Sequence, residues 1–240
     1  MLQLHNCPPI EYIRRPRQRN IRIRVKSDRI MVSGPWYCSH KAMSDFVSER
    51  RDWIENAVKN LNFRQNHHQS LLANQSDKIL LRGQWIPMML RHSIPESEDW
   101  KLIEREGRVD VYPPANVIVN SVAEVPSEVK REYLFETARI ELPLRFKAIA
   151  SQLPFKWNRI FIRSQKTKWG TCSSKGNISL NWRLIMCPPH ILEYLIIHEL
   201  CHTVHMNHSR AYWDLVRSHY PEVDAANLWL KKQGNICFMV

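Results

Sequence analysis

Residues 198–209 read HELCHTVHMNHS, with histidines at 198, 202, 205 and 208 and one acid, Glu199. An apolar run, ILEYLII at 191–197, leads into them, and Pro188 and Pro189 precede that run. Proline in the first turn opens a helix, so the spacing predicts a helix that begins at the prolines and runs through the histidines to Asn207. On a helix, residues four apart stack one turn above each other. His198 and His202 therefore point two imidazoles at one place. Zinc accepts imidazole nitrogen, prefers four ligands and, in catalytic sites, leaves one position to water. Glu199 falls about 100° round the helix from His198, beside such an ion rather than on it, where a carboxylate can take a proton from an activated water. Two histidines on an apolar, buried helix need compensation, because unpaired polar groups are costly to bury.

The third ligand has three candidates. His205 shares the helical face but lies more than a turn beyond the midpoint of His198 and His202 on a straight helix. His208 falls at a bend, since Asn207 tolerates the left-handed conformation that ends helices and Ser209 suits the N-cap of the next one. Glu222 follows Pro221 at a helix start, where the helix dipole favours a glutamate on its own account. The spacing favours His208. Cys201 is rotated off the ligand face and reads as packing.

Working outward, SRAYWDLVRSHY and PEVDAANLWLKKQ read as two further helices, and NRIFIRS and GNISLNWRLIM as strands joined by KTKWGTCSSKG. SEVKREYLFETARIELPLRFKAIASQL, from Ser127, reads as a long helix bent or interrupted at Pro143. Nearer the N-terminus, NIRIRVKS alternates: Ile21, Ile23 and Val25 share one face, and Arg22, Arg24 and Lys26 the other. IMVS continues as a second strand. SHKAMSDFVSERRDWIENAVKNL is a helix capped by Ser39, FRQNHHQSLLANQS a loop, and KILLRGQWIPMMLRH and WKLIEREGRVDVYPP short strands broken at Gly83, Pro87 and Gly107. The pattern is α+β, with a β-rich region carrying a helix at 1–125 and a metal-binding hydrolase domain at 126–240.

The stretch HELCHTVHMNHSRAYWDLV resembles the signature of the YgjP-like metallopeptidase family, a zincin group akin to the SprT and WLM proteases. The shared elements are HELxH at 198–202, Asn207-His208-Ser209 and the Tyr212-Trp213 pair. Upstream, WGTCSSKGNISLNWRLIMCPP at 169–189 is similar to a second family block, with Thr171 where serine is usual. The basic start and RRDWI at 50–54 are also similar. The resemblance implies a zincin-like C-terminal half with the HExxH helix packed on a small sheet. It also implies His198, His202 and His208 as zinc ligands and Glu199 as catalytic base.

The formal net charge is +12. Residues 14–29 carry eight basic side chains against one acid, Asp28, and residues 142–192 contain Lys and Arg but neither Asp nor Glu. Such a field attracts anionic partners. Three functions follow. The first is a zinc metallopeptidase acting on peptide or protein through metal-activated water. The second is a metal-dependent nucleoside triphosphate pyrophosphatase, with Arg163, Lys168 and Arg183 holding an anionic nucleotide. The third is a nucleic-acid-associated protease or binding module that uses the 14–29 run and residues 156–175, with Trp157 and Trp169. Tyr212, His205 and Arg183 are candidates for stabilising an oxyanion. One zinc ion per chain is expected, although an all-histidine set also suits manganese, nickel or cobalt. No apolar run reaches membrane-spanning length, and MLQLHNCPPIEYIRR carries no apolar leader core. The six cysteines, at 7, 38, 172, 187, 201 and 237, form no CxxC pair. These features predict a cytoplasmic protein with free thiols.

Overall fold

The computed structural model describes residues 7–94 and 97–238, with backbone alone at 64–69 and 71–73. The first six residues of the stretch read for a leader thus lie outside the described part. The chain forms two compact units, Met1–Asn74 and Gln75–Val240.

In the first unit, β1 (Ile10–Arg15), β2 (Arg22–Val25) and β3 (Ile30–Pro35) make a sheet in the order β1-β3-β2. Strand β3 runs parallel to β1 and antiparallel to β2. Its Ile30 and Val32 are buried with Met43 and Val47 of α1 (His40–Glu49) and with Ile54 and Val58 of α2 (Arg51–Ala73). Ser39 caps α1, its Oγ accepting from the Ala42 amide at 3.1 Å. The expected single helix is two, divided at Arg50 (φ −106°, ψ 17°). Helix α2 also runs on through residues 63–73, expected as loop; neither Gly nor Pro occurs between Arg51 and Ala73 to stop it.

The second unit begins with β4 (Lys78–Leu81), β5 (Gln84–Leu90), β6 (Lys101–Arg105) and β7 (Arg108–Tyr112), in the order β4-β5-β7-β6. Both hairpin turns, Arg82-Gly83 and Glu106-Gly107, have positive φ at their two residues, the backbone that two-residue hairpins require. Helix α3 (Ser127–Ala150) continues through Pro143 as one element. Next come β8 (Arg159–Arg163), β9 (Gly170–Cys172) and β10 (Asn177–Asn181), in the order β8-β10-β9. The expected connector at 166–176 therefore contains a strand, and that strand is a sheet edge. WRLIM at 182–186, expected to extend the strand, is a 3-10 turn. Helices α4 (Pro189–Cys201), α5 (Arg210–His219) and α6 (Val223–Lys232) complete the unit.

One core joins both sheets of this unit to its helices: Leu81, Val109 and Val111 share it with Leu134, Phe146, Leu180 and Ile196. All of these residues lie in the unit Gln75–Val240. No helix among the described residues is long and apolar enough to cross a membrane.

Candidate metal centre

Helix α4 buries Ile191, Leu195, Ile196, Ile197 and Leu200, and its last turn carries His198 and Glu199. The helix ends sooner than expected: His202 is its C-cap, and the chain then turns. The amides of Val204 and His205 bond to the Cys201 carbonyl, at 3.1 and 3.0 Å. Asn207 does not make this bend by a left-handed conformation, since Arg82 and Glu106 alone among described non-glycine residues have positive φ. Ser209 caps α5, its Oγ accepting from the Tyr212 amide at 3.4 Å.

The bend carries His208 back over α4. Ligand atoms of His198, His202 and His208 all lie within 4.8 Å of one another. His198 Nε2 and His208 Nε2 are 3.4 Å apart. Two nitrogens on a tetrahedral ion, each at the usual zinc distance, would stand about 3.4 Å apart, so the spacing fits a shared metal. His202 Nδ1 lies 2.9 Å from the carbonyl oxygen of His205 and must carry the proton to bond there. Nε2 is then left as the ligating nitrogen. The role of residue 205 is thus through its backbone, and Glu222, an exposed N-cap of α6, is not in the cluster.

Aromatic rings brace the imidazoles. His202 stacks on Tyr212 with centroids 4.4 Å apart, and His208 stacks on Trp213 at 5.6 Å. Tyr212 is fully buried and donates its hydroxyl to the His198 carbonyl at 3.1 Å. That bond commits it to holding α4 rather than to meeting a substrate. Burial, together with the neighbouring His202 and His208, pushes the His198 imidazole down to about 3. Burial also lowers His202. Both rings are therefore unprotonated at neutral pH, as metal ligation requires.

Glu199 is 4% exposed, and its Oε2 has no hydrogen-bond partner. Burial pushes its carboxyl up to about 8, against a smaller opposing pull from the Lys168 ammonium. A buried carboxyl oxygen without a partner is rare enough to need a reason, and a cation bound beside it would supply one. Gly170, on the edge strand, makes the space: a Cβ there would stand 2.5 Å from Glu199 Oε1. Buried Asn181 fixes the segment that leads to this strand. Its Nδ2 donates to the carbonyls of Gln165 and Lys168, both at 2.8 Å. Lys168, Gly170, Cys172 and Tyr194 line a cleft of about 440 Å³ with the three histidines and Glu199.

Of the three basic residues expected to hold substrate, Lys168 lines this cleft. Arg163 lies over the ring of Phe161, at 5.2 Å. Arg183 lies over Trp182 and Phe238, at 4.5 and 5.3 Å, and burial lowers its pKa. Neither arginine lines the cleft. The contributions of Gly170 and Asn181 escaped sequence reasoning, although the WG and NW pairs of the upstream block mark both positions.

A family model described as "YgjP-like, metallopeptidase domain" matches residues 19–233. The chain belongs to the YgjP-like family. It is accordingly a metal-dependent hydrolase of the metallopeptidase class. Two solved structures are similar to parts of this YgjP-like chain. The metallopeptidase zymogen of Methanocaldococcus jannaschii jannalysin is 22% identical with a TM-score of 0.33, over 39% of this chain and 96% of that one. The zymogen of Pyrococcus abyssi abylysin is 26% identical with a TM-score of 0.30, over 43% and 94%. Among curated proteins none matches.

Proposed function

We propose that the protein is a zinc metallopeptidase in which His198, His202 and His208 hold the ion and Glu199 moves the proton. The observation that carries this reading is the trio of ligand atoms within 4.8 Å beside a buried carboxyl oxygen without a partner. A bound zinc ion supplies Lewis acidity, which polarises a carbonyl oxygen and makes water more acidic. The chain's residues do the rest. A peptide in extended form adds as a strand along the free edge of β9, which lines the cleft. Glu199 accepts a proton from water as its oxygen attacks the peptide carbon, and returns a proton to the amine nitrogen as the C–N bond breaks. Burial makes the Glu199 carboxylate a stronger base than an exposed glutamate.

Peptide is favoured over phosphoanhydride because, of the described cleft residues other than histidine, Lys168 alone is basic. A triphosphate would need several cationic partners. A cytoplasmic setting belongs to this reading, and six free thiols fit it.

The test is metal content and proteolysis of an unfolded protein, compared between the zinc-loaded protein and its Glu199→Gln variant. Equal zinc with turnover lost in the variant supports the proposal. Equal turnover removes Glu199 from the chemistry, and loss of zinc in the variant would make it a ligand instead.

A further inference from the structure

The first unit carries a concave surface remote in sequence from the histidines, a groove of about 790 Å³ lined by Arg15, Arg17, Arg19, Arg22 and Arg24. All five arginines are exposed. The ion pairs of this unit are Arg29 with Glu11 and Asp28, and Arg51 with Glu55; among the described residues no acid pairs with a groove arginine. Five guanidinium groups facing one space repel each other, and an anionic occupant removes that repulsion. The loop that shapes the groove is fixed from within. Gln18 Nε2 donates to the carbonyls of Asn20 and Ser33, at 2.6 and 2.7 Å.

Sheet register adds a second feature at the same place. Arg15 is opposite Pro35, and Arg22 is opposite Ser33. The end of β1, the start of β2 and the end of β3 therefore meet at one end of the sheet. There the chain leaves β3 into Trp36 and Tyr37, which are 65% and 69% exposed. Their rings meet edge to face with centroids 5.9 Å apart, and the Cys38 amide closes the turn on the Pro35 carbonyl at 3.0 Å. Two large aromatic rings held in water beside a cationic groove match what single-stranded nucleic acid needs: cations along the phosphates and π-faces on which bases stack. A concave groove suits a strand better than a planar lipid surface. An acidic peptide would use the charge but not the rings.

We infer that the arginine groove and the Trp36-Tyr37 pair bind single-stranded nucleic acid, with guanidiniums on phosphates and bases on the rings. RNA and DNA share this chemistry, so both are tested. The experiment is fluorescence anisotropy of labelled single-stranded oligonucleotides of about 20 residues, with full-length protein, over a range of salt.

The expected log–log salt slope is about −3.5 if all five arginines meet phosphates, at about −0.7 per contact. Arg22→Gln with Arg24→Gln should flatten it by about 1.4. Trp36→Ala should weaken binding about tenfold and leave the slope unchanged. A hydroxyl contact would favour the RNA arm; equal arms mean that phosphate and base faces alone are read. Three results would overturn the inference: no binding at low salt, binding unaffected by the double arginine variant, or Trp36→Ala binding as well as wild type while a sulfated polysaccharide competes equally. Capture by anionic vesicles that the oligonucleotide does not displace would also overturn it, in favour of a lipid surface.

Discussion

Glu199 and Gly170 depend on each other. The carboxyl occupies the space that a side chain at 170 would fill, with a Cβ 2.5 Å from Oε1. Gly170→Ala should therefore displace the carboxyl and lower turnover about tenfold or more while zinc content stays the same; equal activity in that variant would contradict the packing argument. Glu199 also makes a pH prediction for the metal-free protein. Its carboxyl is raised from 4.5 to about 8 in the fold, so the folded state keeps a proton that the unfolded chain releases between those values. Its contribution to stability is whole below pH 4.5 and is lost as pH rises through 8. Glu199→Gln cannot lose a proton. Denaturant titration should show metal-free Glu199→Gln gaining on wild type as pH rises from 4.5 to 8, by at most about 1.4 kcal/mol for every tenfold fall in proton concentration. A gap that does not change with pH would contradict this. His198 titrates in both proteins and so drops out of the comparison. At this scale the placement of His198, Glu199 and His202 together at one helix end was legible because helical spacing is a local rule. The partnership of Gly170 and Glu199 was not legible, since 29 positions of chain close into one contact only in the fold.

Among elements, the turn between α4 and α5 decides the site. It ends α4 at Cys201, uses the His205 carbonyl to orient His202 and returns His208 to the cluster. His208→Ala should lower zinc affinity by more than the roughly 10- to 100-fold typical of losing an outer partner. His205→Ala keeps the carbonyl and should leave affinity unchanged; competitive chelator titration measures both. Asn181 plays the matching part for the edge strand. Asn181→Ala strands the Gln165 and Lys168 carbonyls, at about 1–3 kcal/mol for each that stays buried and unpaired, which thermal or urea unfolding would register. An unchanged midpoint would show that water replaces the amide. The breaks read at Gly83 and Gly107 fall in the two turns, whereas the break expected at Pro87 does not occur, since β5 runs through it. Strand β9 was hidden, because three residues hold too little alternation to read and their pairing comes from β10. The polar tail of α2 was read as loop for a related reason: its helix lacks an apolar stripe over those residues.

For the whole molecule, burial ties together elements that composition separates. The strands at 78–112 resemble the N-terminal region in type, yet they bury their apolar residues with the helices that carry the metal cluster. Binding to the native state alone stabilises it, by about 2.7 kcal/mol when free ligand stands at 100 times its dissociation constant. Zinc should therefore raise the unfolding temperature, and a chelator should reverse the shift; His208→Ala should show a much smaller one. The net charge of +12 is likewise unevenly placed. Little of it faces the cleft, where Lys168 stands alone beside the histidines, and an unpaired share gathers in the arginine groove. The measurement that tests the central claim most directly is product identification by mass spectrometry. Zinc-loaded wild type and Glu199→Gln would each be incubated with an unfolded protein and with pooled nucleoside triphosphates. Peptide fragments from wild type alone, with the triphosphates intact in both, are the predicted result. Nucleoside mono- or diphosphates formed only when Glu199 is present, with the protein uncut, would contradict it.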